Sequence, residues 1–348
     1  MAKIRVGLIG LGFMGLTHYE RYCKMENAEI VALADVNPAK RAGDVSAIRG
    51  NIDTTEKPAH LDFSKIAVYD NGFDLIANPD VDLVDICTPT PWHAELIIAA
   101  LKAGKHVMAE KPMARTLAQA EAIGEALKTA KGQLNIGMVV RVFEAYQYLY
   151  RQHKAGAYGK LRSAVLRRVS GTLNDPKGAH WNNWFMNADY SGGALHDLHL
   201  HDTDFICYLL GRPKAVSSTG LNITSDHGTD HVVTRYHYDD GTMVMAEGNW
   251  ACATGVRFSA TFELIYEKAT VRLMPEGFKI YWNDGRVEKP ALDGVDGYAF
   301  ELQYFVDCVQ KGVKADKYQT FEDVMGSFKV VMAEQASVDA GGKRVEIK

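Results

Sequence analysis

The chain opens on a short apolar run, Ile4 to Ile9, that ends abruptly at Gly10. A brief β-branched stretch closed by a turn residue reads as a buried strand. Gly10-Leu11-Gly12-Phe13-Met14-Gly15 follows, then a helical pattern through Lys24, then EIVALAD, a second strand closing on Asp35. The alternation recurs. VDLVDICTP is a strand, AELIIAALKAG a helix stopped at Gly104, and KHVMAE another strand. Helices between apolar strands imply a doubly wound parallel sheet, because parallel neighbours need a crossover connection.

After Arg141 the pattern changes to strict alternation of apolar and polar positions, in KLRSAVLRRVSG, HVVTRYHYDDGTMVMAEGNW and RFSATFELIYEKATVRLM. Asp240-Gly241 sits between two such runs as a hairpin signal. This predicts a large, mostly antiparallel open sheet, one face of it covered by helices. With 348 residues, two domains are expected. We place the nucleotide-binding α/β domain at 1–135 and an α+β domain at 136–348. The polar, aperiodic stretch from Gly50 to Ser64 reads as a surface excursion of unassigned role.

Composition narrows the class. Lys plus Arg total 39 against 43 Asp plus Glu, a net charge of −4, a balance that gives no support to a basic surface tracking nucleic-acid phosphates. The five cysteines are scattered and form no CxxC pair, so neither a disulfide framework nor a zinc knuckle is expected. The N-terminus lacks a signal peptide's features, and no apolar run nears the ~20 residues that span a bilayer. A cytoplasmic protein with no nucleic-acid or membrane partner is expected.

Glycines at 10, 12 and 15 match the GxGxxG pattern between a first strand and a first helix. The first permits the tight turn, the second lets the backbone approach a pyrophosphate, and the third allows close packing of the helix. The helix N-terminus offers free N–H groups to phosphate. Asp35 lies 20 residues beyond Gly15, where a carboxylate reaches the adenosine ribose hydroxyls. These features predict a Rossmann domain binding NAD, with Gly10, Gly12, Phe13, Met14, Gly15 and Asp35 at the cofactor. The carboxylate disfavours the extra phosphate of NADP, and nearby Arg41 softens that preference without excluding NADP.

Ligands of such sheets bind beyond the carboxyl ends of the strands. Two groups fall there: Thr88, Pro89 and His93 in TPTPWH, and Glu110-Lys111-Pro112. Held extended by the proline, Lys111 is a candidate to hydrogen-bond a reacting hydroxyl and stabilise developing oxyanion charge. An isolated EKP would otherwise be a solvated turn.

In the second domain GGALHDLHLHDTDFICYLLGRP reads as a helix from about Ala194 to Leu210, stopped by Gly211 and Pro213. Asp197, His201 and Asp204 then share one stripe, at i, i+4 and i+7. His199 points away from His201, so the helix cannot gather a metal ion. Read as a strand, Asp197, His199 and His201 would face together and zinc would become plausible. The stop signal and apolar period favour the helix, and no metal is expected. Asp204 is expected to be structural, with His196 and His199 at the surface or a pocket rim.

These motifs, together with GKLRSAVLRR and the closing FELQYFVDCVQKGVKADKYQTFEDVMGSFKVVMAEQASVDAGGKRVEI, resemble the glucose-fructose oxidoreductase / inositol dehydrogenase / MocA family over nearly the whole chain. Residues 51–64 and Tyr266-Glu267 depart from its usual pattern. The resemblance implies a nicotinamide-dependent enzyme acting on a sugar, cyclitol or related polyol. It assigns Lys111, Asp197 and His201 to substrate binding and proton transfer, and implies a homodimer or homotetramer formed through the second-domain sheet. Trp181 or Trp184 would stack on a sugar ring or pack in the core, and Asn182 or Asn183 would bind hydroxyls. Arg141, Trp92 and His93 are further cleft candidates. The rival readings are a cofactor-retaining glycosidase of the same fold and a non-catalytic cofactor-binding regulator.

Overall fold

The computed structural model describes residues 2–48, 59–171 and 185–348. Two compact units emerge, Met1–Val139 with Asp296–Glu322, and Val140–Val295 with Asp323–Lys348.

The first unit runs β1 (Ile4–Ile9), α1 (Phe13–Tyr22), β2 (Ala28–Ala34), α2 (Pro38–Arg41), β3 (Ala67–Tyr69), α3 (Gly72–Ala77), β4 (Leu83–Ile86), α4 (His93–Lys102), β5 (His106–Ala109), α5 (Leu117–Thr129) and β6 (Leu134–Ile136). Its six strands are parallel, in the order β3-β2-β1-β4-β5-β6. Strand order reverses between β1 and β4, the switch point at which doubly wound sheets bind dinucleotides. Gly7 and Ile9 of β1 lie against α3, where a Cβ on Gly7 would stand 2.6 Å from the Leu75 side chain.

Another helix returns to this unit from far along the chain, α9 (Gly297–Lys311), capped by Asp296 accepting from the Tyr298 and Ala299 N–H groups. Its Leu302, Phe305 and Val306 pack with Val6, Leu83, Met108 and Tyr22. The expected boundary, all of 136–348 in one domain, therefore differs from the contacts. The apolar stripe on α9 completes the cover of the parallel sheet, a long-range pairing that local pattern does not announce.

The second unit contains α6 (Glu144–Lys154), β7 (Leu161–Gly171), α7 (Ala188–Ser191), α8 (Leu200–Leu210), β8 (Ala215–Leu221), β9 (His231–His237), β10 (Met243–Cys252), β11 (Ser259–Tyr266), β12 (Ala269–Met274), β13 (Gly277–Trp282), β14 (Val287–Glu288), α10 (Phe321–Asp339) and β15 (Val345–Glu346). Nine strands form one sheet, β14-β13-β12-β11-β7-β10-β9-β8-β15, antiparallel except for the β7/β10 pair. Asp240-Gly241 does join β9 to β10, with Gly241 at φ +77°. One face buries Ala164, Leu166, Phe262 and Leu264 against Tyr146, Phe205 and Val330 of the helices. Val165, Arg167 and Ile265 occupy the exposed face. Among the described residues, no helix is long and apolar enough to cross a membrane.

Candidate active site

In the first unit, each glycine of the turn answers a separate steric demand. Gly10 has φ +93°, and a Cβ there would lie 2.7 Å from the Cys87 carbonyl oxygen. A Cβ on Gly15 would stand 1.9 Å from the Gly10 carbonyl, so α1 can begin this close to the turn only without one. Around Gly12, the N-cap of α1, a Cβ would meet nothing within 4 Å. That open side, at an N-cap that makes no side-chain hydrogen bond, fits a pyrophosphate. Phe13 and Met14 begin the helix, both half-buried.

Asp35, just past β2, ties the turn down. Its Oδ2 accepts the Leu11 N–H at 2.7 Å and its Oδ1 the Asn37 N–H at 2.8 Å. Lys40 Nζ lies 3.7 Å from Oδ2, and Arg41 Nη1 donates to the carbonyls of Asp35 and Val36. Lys40 thus stands beside the carboxylate, while Arg41 is occupied by backbone.

At the ends of β4 and β5 stand the other two groups. His93 is buried, with Nε2 2.7 Å from the Thr88 carbonyl and Nδ1 2.7 Å from the Pro112 carbonyl. Burial holds its pKa below the usual histidine value against the pull of those carbonyls. His93, expected at the cofactor or in the cleft, joins two loops through these carbonyls. Thr88 and Pro89 are half-buried, and Trp92 is exposed. The Lys111–Pro112 bond is cis. Lys111 is half-buried, and its N–H donates to Glu110 Oε2 at 3.2 Å.

In the second unit the expected helix is present, but it opens with a π turn, Leu195–His199, before α8. Such turns recur at functional sites. From Gly192 to Ile206 every residue is buried except Asp197 and His201. The other acids of the stretch face inward and have partners. Asp204 makes a bidentate pair with Arg141, at 2.7 and 2.6 Å, and the guanidinium lies 5.0 Å from the centroid of the Tyr208 ring. Asp202 pairs likewise with Arg168, at 3.1 and 2.9 Å. His199 contacts Thr234, Tyr236 and Glu334 in a polar network between helices and sheet.

Three corrections follow. Arg141 is a core cation neutralising Asp204, because a buried carboxylate needs a charge partner. Both His196 and His199 are buried, where surface or rim positions were expected. Trp181, Asn182, Asn183 and Trp184 lie outside the described residues. Sequence reasoning also passed over His18 and Asp85, which are buried together; the signal was a carboxylate in the middle of the apolar run VDLVDIC.

A glycine turn of this build, opening a helix at the switch point of a six-stranded parallel sheet, defines a dinucleotide-binding unit. The family described as "Oxidoreductase family, NAD-binding Rossmann fold" matches residues 4–138, and the GFO/IDH/MocA C-terminal domain matches 146–272. The chain belongs to the Gfo/Idh/MocA family. It is 27% identical to an inositol 2-dehydrogenase 3 of Saccharopolyspora erythraea, over 89% of this chain and 86% of that one. It is 35% identical to a glycosyl hydrolase family 109 protein of Shewanella baltica, over 69% of this chain and 54% of that one. Several curated relatives are spanned over only about half their length. A solved levoglucosan dehydrogenase, in complex with NADH and levoglucosan, shares the fold at TM-score 0.82 and 22% identity, each chain covered to 99%.

Proposed function

We propose that the chain is an NAD-dependent dehydrogenase acting on a CH–OH group of a sugar, cyclitol or related polyol. The observation that carries this reading is the burial pattern of the second-unit helix: of its acids and histidines, only Asp197 and His201 are left half-exposed. A carboxylate one turn from an imidazole orients the ring and favours its protonated form. When bound, nicotinamide supplies the hydride acceptor. His201 takes the hydroxyl proton on a ring nitrogen, and Asp197 orients that ring or the substrate. The Lys111 ammonium donates to the same oxygen and stabilises the charge that grows there. Asp35 and the open side of Gly12 hold the ribose and pyrophosphate, and NAD is favoured over NADP. Assembly into a homodimer or homotetramer through the exposed face of the nine-stranded sheet is part of this reading.

The similarity to a glycosyl hydrolase supports a second reading, in which the chain oxidises and re-reduces a sugar around a bond cleavage. A panel of sugars and cyclitols, scored both for reduced-nicotinamide absorbance and for glycoside cleavage, separates the two. Net absorbance growth with an unsubstituted polyol is expected. Cleavage without net cofactor turnover would replace the first reading by the second.

A further inference from the structure

Beneath the glycine turn lies a group of buried titratable residues to which the proposed chemistry gives no task. His18 on α1, Asp85 in β4 and Glu110 at the end of β5 are all buried, the first two completely. Asp85 sits between Val84 and Ile86 in a strand buried throughout. A carboxylate there is tolerated only with a charge partner. His18 Nδ1 lies 2.8 Å from Asp85 Oδ2, and His18 Nε2 lies 3.2 Å from Glu110 Oε1. The first contact is an aligned hydrogen bond, the second an ion-pair approach. Cys87 Sγ completes the group, 3.4 Å from Nδ1 and 3.5 Å from Asp85 Oδ1.

A neutral imidazole would turn one lone pair onto a carboxylate oxygen. Between two ionised carboxylates, only the doubly protonated ring suits both neighbours. We infer that His18 is a positioning residue, a buried imidazolium held between Asp85 and Glu110 that fixes the Glu110 carboxylate and, through it, the backbone of Lys111. This deepens the proposed function and rests on it for the role of Lys111.

The geometry behind this is local. Glu110 Oε1 faces His18 while Oε2 accepts the Lys111 N–H at 3.2 Å. Behind the carboxylate the backbone of Gly137 closes the space, since a Cβ there would stand 3.3 Å from the carboxyl carbon. Pinned on these sides, the carboxylate holds the start of the EKP turn in one place. The electrostatics agree in sign. Burial alone would lower the His18 pKa, but the Asp85 carboxylate 2.8 Å away raises it well above the usual value, beside a Cys87 thiol that burial keeps protonated. Burial would raise Glu110, yet the charge of His18, followed by that of Lys111, brings it below the carboxylate norm. Tyr22, from the next turn of α1, acts on the Asp85 side of the group.

His18, Asp85 and Cys87 also bring potential metal-ligand atoms within 4.8 Å of one another. An ion there is disfavoured by the 2.8 Å separation of Nδ1 and Oδ2. Two ligands at ~2.0 Å around a tetrahedral zinc stand about 3.3 Å apart. A shared proton fits the shorter gap.

Two measurements need no turnover. In wild-type protein with ¹⁵N-labelled histidine, both His18 ring nitrogens should carry protons at pH 8. A neutral ring at pH 7, or stoichiometric zinc in the purified protein, would overturn the inference. In His18→Gln, exchange of the Lys111 amide should accelerate at least tenfold while the Val107 amide in β5 keeps its wild-type rate. Equal acceleration at both sites would mean a general loosening and would also overturn it. On a polyol substrate, His18→Gln should lower kcat about 10- to 100-fold, the scale of an ångström's misplacement, with NAD affinity within threefold of wild type. Unchanged kcat would refute the link to Lys111. If no polyol is oxidised at all, the dehydrogenase reading fails while ring protonation and amide exchange still decide the state of His18.

Discussion

The glycine turn of the first unit and the histidine-rich helix of the second arrange their chemistry by different means. In the turn, backbone sets the geometry: Gly10 and Gly15 leave out side chains where carbonyls crowd them, and Gly12 leaves an opening. On the helix, side chains compete for burial, and position is decided by partners elsewhere in the unit. Asp202 and Asp204 look no different from Asp197 in the sequence, yet each is neutralised by an arginine contributed from another element. Motif spacing therefore finds the turn directly. On the helix it finds a set of candidates that only tertiary partners can sort.

The sharpest break of that comparison is within the helix itself. Asp204→Ala leaves Arg141 buried without its counter-charge and should cost about 3–5 kcal/mol. Asp197→Ala should stay within about 1 kcal/mol. Urea unfolding of both variants checks this; similar losses would erase the distinction drawn between the two acids.

On the turn, Gly15→Ala drives a methyl group into the Gly10 carbonyl. Overpacking of this kind costs about 1–3 kcal/mol, and we expect NAD affinity to fall by a comparable factor, about 10- to 100-fold. Gly12→Ala, placed in open space, should leave the fold intact and weaken NAD alone. Calorimetric titration with NAD and thermal melts of the two variants separate these outcomes. A Gly15→Ala protein that binds NAD normally would show that α1 can retreat from the turn.

A smaller effect is expected from Asp35→Ser, which removes the carboxylate that receives the Leu11 and Asn37 N–H groups. It should narrow the preference for NAD over NADP, read as the ratio of the two Kd values. A wild type that clearly prefers NADP would reverse the role given to Asp35, with Lys40 and Arg41 dominant.

The smallest effect concerns pH. Because the folded pKa of His18 is raised, its charge contributes stability that is fully present below the unfolded value of about 6.5. That contribution is lost as pH rises through the folded pKa. The wild-type Tm should accordingly decline on the alkaline side, and His18→Gln should flatten that limb. Parallel Tm profiles for the two proteins would remove His18 from the linkage.

Much of the architecture was legible. The strand–glycine–helix context, the parallel sheet, the change to alternation after Arg141 and the Asp240-Gly241 hairpin all follow from local periodicity. What escaped depends on distant partners. Helix α9 joins the parallel sheet from residue 297 onward, and nothing in its own period says which sheet it covers. Arg141 resembled a cleft residue until Asp204 claimed the Nε–Nη2 edge of its buried guanidinium. A π turn shifts the helix just where the stripe was drawn with a 3.6-residue period, although Asp197 and His201 still emerge as the half-exposed pair. His93 was legible as important and illegible in its task, because its two partners are backbone carbonyls.

The central claim, that the half-exposed pair on this helix carries the proton chemistry of a polyol dehydrogenase, is tested most directly by steady-state kinetics of His201→Ala on the best substrate of the panel, alongside NAD titration. A general base contributes ~10² to 10⁴ in rate. We predict a fall in kcat of about that size, loss of the rise in wild-type oxidation with pH, and NAD affinity close to wild type. Near-wild-type turnover in His201→Ala would contradict the account and place the base elsewhere.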